Sequence, residues 1–218
     1  HQRQHFFSSI AKANRSNFIY YEFLTYHFIK DKHSIFTFAL IYLYLMIKLS
    51  VNINKIATIR NARGGTLPNV LEAAKNCEVF GADGVTVHPR PDERHITYQD
   101  VHDIKPHITT EFNVEGYPTE SFLDLVLQCK PQQVTLVPDL PEAITSNAGW
   151  DCKIHFDFLQ SVINRLHEAG VRTSIFVETD LDNIDWAKKT GTDRIELYTE
   201  SYAAGFSTNK VQAVKPFA

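Results

Sequence analysis

From Leu49 onward the chain moves between two hydrophobic periods. Leu49, Val51 and Ile53 alternate with Ser50, Asn52 and Asn54, the two-residue repeat of a pleated strand. Beyond Ile53 the run turns polar and basic, which places Asn52, Asn54, Lys55, Arg60 and Arg63 where a strand empties into a loop. Pro68 to Phe80 then carries Val70, Leu71, Ala74, Cys77 and Val79-Phe80 at roughly the 3.6-residue spacing of a helix, and Gly81 stops it. Gly84 to His88 reads as a second strand, followed by the proline-rich loop Pro89 to His95 and a short helix from Thr97 to Ile104. Glu111 to Glu115 is a third strand, and Thr119 to Cys129 a helix closed by Lys130-Pro131. Gln133 to Val137 is a fourth strand that leads into a long loop from Pro138 to Asp151. Phe156 to Ala169 is a helix with Gly170 as its C-cap. Arg172 to Val177 is a fifth strand, Asp180 caps a helix that ends near Thr190, and Arg194 to Leu197 is a sixth strand. Ser207 to Val214 begins a further helix.

Strand and helix thus alternate through six βα units with no hairpin signal, which makes the fold class α/β and the sheet parallel. A doubly wound sheet and a (β/α)8 TIM barrel both fit this pattern. A barrel takes eight units and about 250 residues. Residues 46–218 supply 173 residues and six units, so a barrel would be truncated in its sixth helix.

Composition sets residues 1–45 apart. They hold none of the nine glycines and none of the nine prolines, yet twelve of the 26 aromatics, and a globular domain seldom goes so long without a turn residue. The one methionine is Met46. Residues 1–45 are therefore read as an extension outside the fold, and 46–218 as the folded domain, with Met46 as the natural start. A membrane anchor is the alternative, because Ile35 to Ile47 is almost continuously apolar. That run is about 13 residues against the ~20 that a spanning helix needs. The net charge of −3 argues against a nucleic-acid partner. Cys77, Cys129 and Cys152 share no metal-ligand spacing and are odd in number, as expected of free thiols in a cytoplasmic protein.

Polar residues gather at the carboxyl ends of the strands, where α/β folds bind ligands. Strand one ends in Asn52, Asn54 and Lys55, strand two in His88 and Arg90, and strand three in Glu115. The loop after strand four holds Thr145 and Ser146, strand five ends at Glu178, and strand six carries Glu196. Each has an ordinary explanation taken singly, as a structural histidine, a helix-start acid, an ion-pair partner or a loop hydroxyl. Convergence on one mouth gives them a joint one. A histidine titrates near neutrality, a carboxyl in a dry site is lifted toward neutrality, and guanidinium forks match phosphate oxygens. Walker loop, dinucleotide glycine fingerprint and His/Cys metal spacing are all missing from the sequence. The implied chemistry is metal-free proton transfer on a phosphorylated carbonyl compound.

These residues resemble the pyridoxine 5′-phosphate synthase family of vitamin B6 biosynthesis over essentially Leu49 to Ala204. The resemblance rests on Val51-Asn-Ile-Asn-Lys-Ile-Ala-Thr-Ile-Arg-Asn-Ala-Arg63, on Gly81-Ala-Asp-Gly-Val-Thr-Val-His-Pro-Arg90 and on Arg94-His-Ile96. Asn113-Val-Glu115, Leu136-Val-Pro138, Thr145 and Ile195-Glu-Leu197 continue it in order. It implies a (β/α)8 barrel that condenses 3-amino-2-oxopropyl phosphate with 1-deoxy-D-xylulose 5-phosphate, releases phosphate and water, uses no metal or organic cofactor, and forms homo-oligomers. On this resemblance His88 and Glu115 transfer protons and Glu196 stabilises the transition state. Asn52 and Arg63 hold the aminoacetone phosphate, while Arg90, His95, Thr145 and the pair Asn54-Lys55 hold the deoxyxylulose phosphate.

Two departures qualify it. Much of the family has Asp-His where this chain has Asn54-Lys55, which removes a carboxylate and adds a fixed charge. The family's third catalytic residue, a histidine, and its second phosphate loops lie beyond Ala218, so the 218-residue chain is expected to be inactive or nearly so. The alternatives are another phosphosugar-binding TIM-barrel enzyme, such as an epimerase or aldolase, and a non-catalytic phosphate-ligand binding protein anchored through residues 1–45.

Overall fold

The computed structural model of the chain describes residues 47–139 and 148–217. Residues 1–45, Met46, Thr145 and Ser146 lie outside that description, and with them the reading of the N-terminal extension. Residues 48–217 form one compact unit.

Six strands order this unit: β1 (Ser50–Asn52), β2 (Gly84–Val87), β3 (Glu111–Gly116), β4 (Gln133–Leu136), β5 (Arg172–Val177) and β6 (Arg194–Leu197). They stand side by side in chain order, and every neighbouring pair is parallel. The helices between them are α1 (Asn54–Ala62), α2 (Val70–Val79), α3 (Tyr98–Ile104), α4 (Glu120–Cys129), α5 (Phe156–Glu168) and α6 (Leu181–Lys189). After β6 come α7 (Glu200–Phe206) and α8 (Lys210–Val214).

The two faces of the sheet are made of different chemistry. On one face Val51, Val85, Val87, Phe112, Val114, Val134, Leu136, Ile175 and Val177 pack in the hydrophobic core with the helices, all but Val51 fully buried. α5 meets that face with Leu159, Val162, Ile163 and Leu166, the i, i+3, i+4, i+7 stripe of an amphipathic helix. Residues of the opposite parity are mostly polar, Phe176 being the apolar exception, and many of them bond to one another. Ser50 Oγ lies 2.8 Å from Thr86 Oγ1, Asn113 Nδ2 donates to Thr86 Oγ1 at 3.4 Å, and Thr135 Oγ1 donates to Asn113 Oδ1 at 3.0 Å. Arg172 Nε donates to Gln133 Oε1 at 3.0 Å and also pairs with Glu111. Arg194 Nη1 on β6 reaches Glu111 Oε2 on β3 at 3.2 Å. Three strand spacings would hold these strands about 14 Å apart on a flat sheet. The contact ties β3 to β6 across the polar face, as a sheet curled around that face favours.

Local signals set the helix ends. Asn69 accepts from the Glu72 N–H, Thr97 and Asp100 form a capping box, Thr119 accepts from the Phe122 N–H, and Asp180 accepts from the Asn183 N–H. Gly170, at φ 77°, takes the left-handed residue just past α5, one position beyond the C-cap Ala169. Gly116 closes β3 where no side chain fits, since a Cβ there would lie 2.2 Å from the Phe122 ring.

Two expectations are corrected. Asn54 to Ala62 is a helix, not the loop expected from its polarity: Ala57 is buried and Ile53 and Ile56 face the core, a helical stripe that the flanking Asn and Arg residues obscure. The region after β6 holds two short helices, with α7 beginning earlier than the single helix expected from Ser207. The three cysteines are free thiols, and burial pushes Cys129 to about 11 and Cys152 to about 12. Among the described residues no helix is long and apolar enough to cross a membrane, and no cluster of His, Cys, Asp and Glu has the makings of a metal site.

Candidate active site

The polar face ends, at the carboxyl edge of the sheet, in two titratable side chains set next to each other. His88 directly follows β2 and is 8% exposed, and its Nδ1 stands 3.9 Å from Glu115 Oε2 near the end of β3. That separation is a contact of approach, longer than a hydrogen bond. Burial and the positive charges of Arg90, His95 and Arg94 push the His88 imidazole down to about 3, so it is neutral at physiological pH. Burial, with the charges of Glu196 and Asp139 behind it, raises the Glu115 carboxyl well above the ordinary range. Glu196, on β6, is also raised by burial. Two neighbouring strand ends thus offer an imidazole that is neutral at physiological pH and a carboxyl that holds its proton more tightly than an ordinary glutamate.

Cationic and amide donors surround this pair. Arg90 is 5% exposed and donates from Nη2 to Asp139 Oδ2 at 2.7 Å, a buried ion pair that joins the loop after β2 to the loop after β4. His95 sets its ring edge-on to His88, with centroids 6.1 Å apart, and accepts the Ile96 N–H at its Nδ1. The bond leaves His95 a donor at Nε2, and burial followed by Arg90 and Arg94 lowers its affinity for a second proton. Lys55, on the first turn of α1, lies close enough for its charge to act on His95. Asn52 Oδ1 accepts the Asn54 N–H at 3.0 Å, and Asn54 Oδ1 accepts the His88 N–H at 2.8 Å. Both carboxamide oxygens are therefore occupied, and both Nδ2 groups are left without a hydrogen bond among the described residues.

His88, Glu115, Glu196, Arg90, His95, Lys55, Asn52 and Asn54 thus gather in one region. Arg63 does not join them: it forms the C-cap of α1 and is exposed, with no side-chain hydrogen bond or ion pair among the described residues. Arg60 is committed elsewhere, donating to Asp100 Oδ2 at 2.9 Å and to the His95 carbonyl at 3.1 Å. Thr145 lies outside the described residues, although the chain on its far side is pinned. Trp150 donates from Nε1 to the Leu136 carbonyl, stacks on Tyr117, and follows Gly149, where a Cβ would strike the Val177 backbone at 2.5 Å. Asp139 escaped the reading of the sequence. Its one signal is its place, directly after the fourth strand at the same edge as the candidate residues.

A parallel βα sheet whose carboxyl edge gathers a neutral imidazole, a carboxyl raised above its ordinary range and a rim of cations has the make-up of an acid–base enzyme site. Residues 49–217 match the family model described as "Pyridoxal phosphate biosynthesis protein PdxJ", and the chain belongs to that family. It is 63% identical to the pyridoxine 5′-phosphate synthase of Parabacteroides distasonis over 172 residues, 79% of this chain and 72% of that protein. It is 59% identical to the synthase of Porphyromonas gingivalis over the same shares. The synthase of Christiangramia forsetii is 62% identical, covering 79% of this chain and 73% of the relative. Among solved structures, a mandelate oxidase variant with (S)-mandelic acid superposes with a TM-score of 0.53 at 9% identity, covering 78% of this chain and 61% of the oxidase. A flavocytochrome b2 variant with benzoylformate gives 0.53 at 10% identity, covering 76% and 45%. These two likenesses concern the fold alone.

Proposed function

We propose that this domain, residues 46–218, carries the ring-closing site of a pyridoxine 5′-phosphate synthase. It condenses 3-amino-2-oxopropyl phosphate with 1-deoxy-D-xylulose 5-phosphate and releases inorganic phosphate and water. The observation that carries the reading is the placing of neutral His88 3.9 Å from Glu115, a carboxyl raised well above its ordinary range, inside a rim of cations. Imine formation between amine and ketone needs an acceptor for the amine protons and a donor to the departing hydroxyl. Later steps strip carbon-bound protons as phosphate leaves. His88 accepts and Glu115 donates, with Glu196 beside Glu115 stabilising the charge that develops.

An imidazole titrating at about 3 is a weak base; burial is the main cause and substrate leaves it in place, but the part due to neighbouring cations can be offset. Arg90 and Arg94 are among the charges that depress it, so a dianionic phosphate bound at Arg90 offsets the repulsion and makes His88 more basic on arrival. Arg90, His95, Lys55, the Asn54 Nδ2 and Thr145 hold the deoxyxylulose phosphate; Asn52 holds the aminoacetone phosphate, and Arg63 would have to swing in from the C-cap of α1 to share it. The surrounding frame is a (β/α)8 barrel of which these six units form the greater part, in a cytoplasmic enzyme that works as a homo-oligomer without metal or organic cofactor.

Calorimetric titration of 1-deoxy-D-xylulose 5-phosphate tests the reading. Arg90→Ala is expected to weaken binding at least tenfold, about the 1.5–3 kcal/mol of a charge-assisted hydrogen bond. Absence of binding by the parent chain, or indifference to Arg90→Ala, overturns it. Adding both substrates tests the expectation that this stretch alone is inactive: binding without product agrees with it, and turnover of both substrates ends it.

A further inference from the structure

β1 pairs with β2 only as far as Asn52 opposite Thr86, after which the Ile53 N–H closes on the Thr86 carbonyl and the chain turns into α1. The next donor of β2 on that side, the His88 N–H, has no strand left beside it. It meets the side chain of Asn54 instead, whose Oδ1 accepts it at 2.8 Å across a sequence separation of 34 residues. Asn54 is held for this in turn, because its own N–H is capped by Asn52 Oδ1 at 3.0 Å and its backbone is the first residue of α1. We propose that Asn54 is a positioning residue for His88: its carboxamide oxygen stands in for the missing strand, extends the ladder by one residue and keeps His88 facing Glu115. The inference rests on the proposed use of His88 as the proton acceptor.

The alternation of β2 explains what the bond accomplishes. Thr86 points to the polar face, Val87 to the core, and His88 returns to the polar face only while its backbone remains in strand register. With this N–H fixed, the imidazole three bonds away stands 3.9 Å from Glu115 and edge-on to His95. An amide does this without adding a charge. The groups around His88 are Arg90, Arg94 and His95 of its own loop and Glu115 of β3, together with Asn54 from α1. A carboxylate in place of Asn54 keeps the acceptor and adds an anion beside the imidazole.

The test uses the full 218-residue chain, with amide hydrogen exchange and the His88 Hε1 resonance as readouts. Asn54→Ala is expected to lower protection of the His88 N–H about tenfold relative to the Val85 and Val87 amides, the loss of one net hydrogen bond. The shift that Glu115→Gln produces in the His88 Hε1 resonance is expected to shrink in the Asn54→Ala background. Asn54→Asp is expected to restore both and to raise the pH at which His88 titrates. Unchanged protection in Asn54→Ala, equal loss at Val85 and Val87, or an undiminished response to Glu115→Gln overturns the proposal. Failure of substrate to bind the parent chain would remove the proposed function and leave these readouts where they are, so the two failures are separable.

Discussion

Glu115 and His88 place opposite demands on the folded state, and pH tells them apart. An unfolded chain surrenders the Glu115 proton near the ordinary 4.5, whereas the folded chain keeps it well above that. Folding must therefore take up a proton at higher pH, and this contribution is lost as pH rises through the folded value. Glu115→Gln keeps the shape and removes the titration. It is expected to abolish product formation in any active form while making the fold more stable than the parent at pH 8 than at pH 5, read by urea unfolding. His88 runs the other way, with a folded value of about 3 against 6.5 in the unfolded chain. Stability is lost as pH falls from 6.5 toward 3, so His88→Gln is expected to shift the acid unfolding midpoint downward. Close packing gives a third residue-scale expectation. Gly116→Ala drives a methyl into the buried Phe122 ring and is expected to cost about 2 kcal/mol by urea titration, the scale of overpacking.

At the scale of elements, α1 shows both the reach of the sequence and its limit. Strands β2 to β6 were legible because their outward positions are, Thr173 apart, Val, Ile, Leu or Phe and their ends are marked by Gly, Pro or Asp. α1 was missed because its polar residues have jobs unrelated to helix amphipathicity. Arg60 reaches Asp100 at 2.9 Å, and Asn61 donates to the His95 carbonyl at 2.9 Å, so the helix's outer face is an interface with the loop that follows β2. Candidate site residues on strand ends were legible for the same reason as the strands: register alone places His88, Glu115 and Glu196 on the polar face. Asp139 and the bridging use of Asn54 were not, because side-chain partners 34 and 49 residues apart leave no local trace. The Arg60–Asp100 pair is mostly buried and also holds the capping box of α3. Asp100→Ala is expected to destabilise the fold by about 3 kcal/mol, since it strands a buried guanidinium and removes a cap. Arg60→Met, which removes the stranded charge too, is expected to cost less in the same thermal scan.

At the scale of the whole molecule, the sheet keeps its adhesion outside and its chemistry inside. Helix-facing Val, Ile, Leu and Phe supply the burial, and the inner wall is tied by hydrogen bonds and ion pairs that run from Ser50 to Arg194. Among the described residues β1 and β6 each pair on one side only. Ile195 shows 37% of its surface on the outer face of β6. An unpaired apolar edge recruits other chains. Ile195→Lys is expected to reduce concentration-dependent light scattering of the 218-residue chain, and unchanged scattering would absolve that edge. The order of the strands has a consequence in time. Because the six described strands lie in chain order, each from β2 to β6 leaves the ribosome with its upstream neighbour already laid down. The protein can be built in the direction in which it is read.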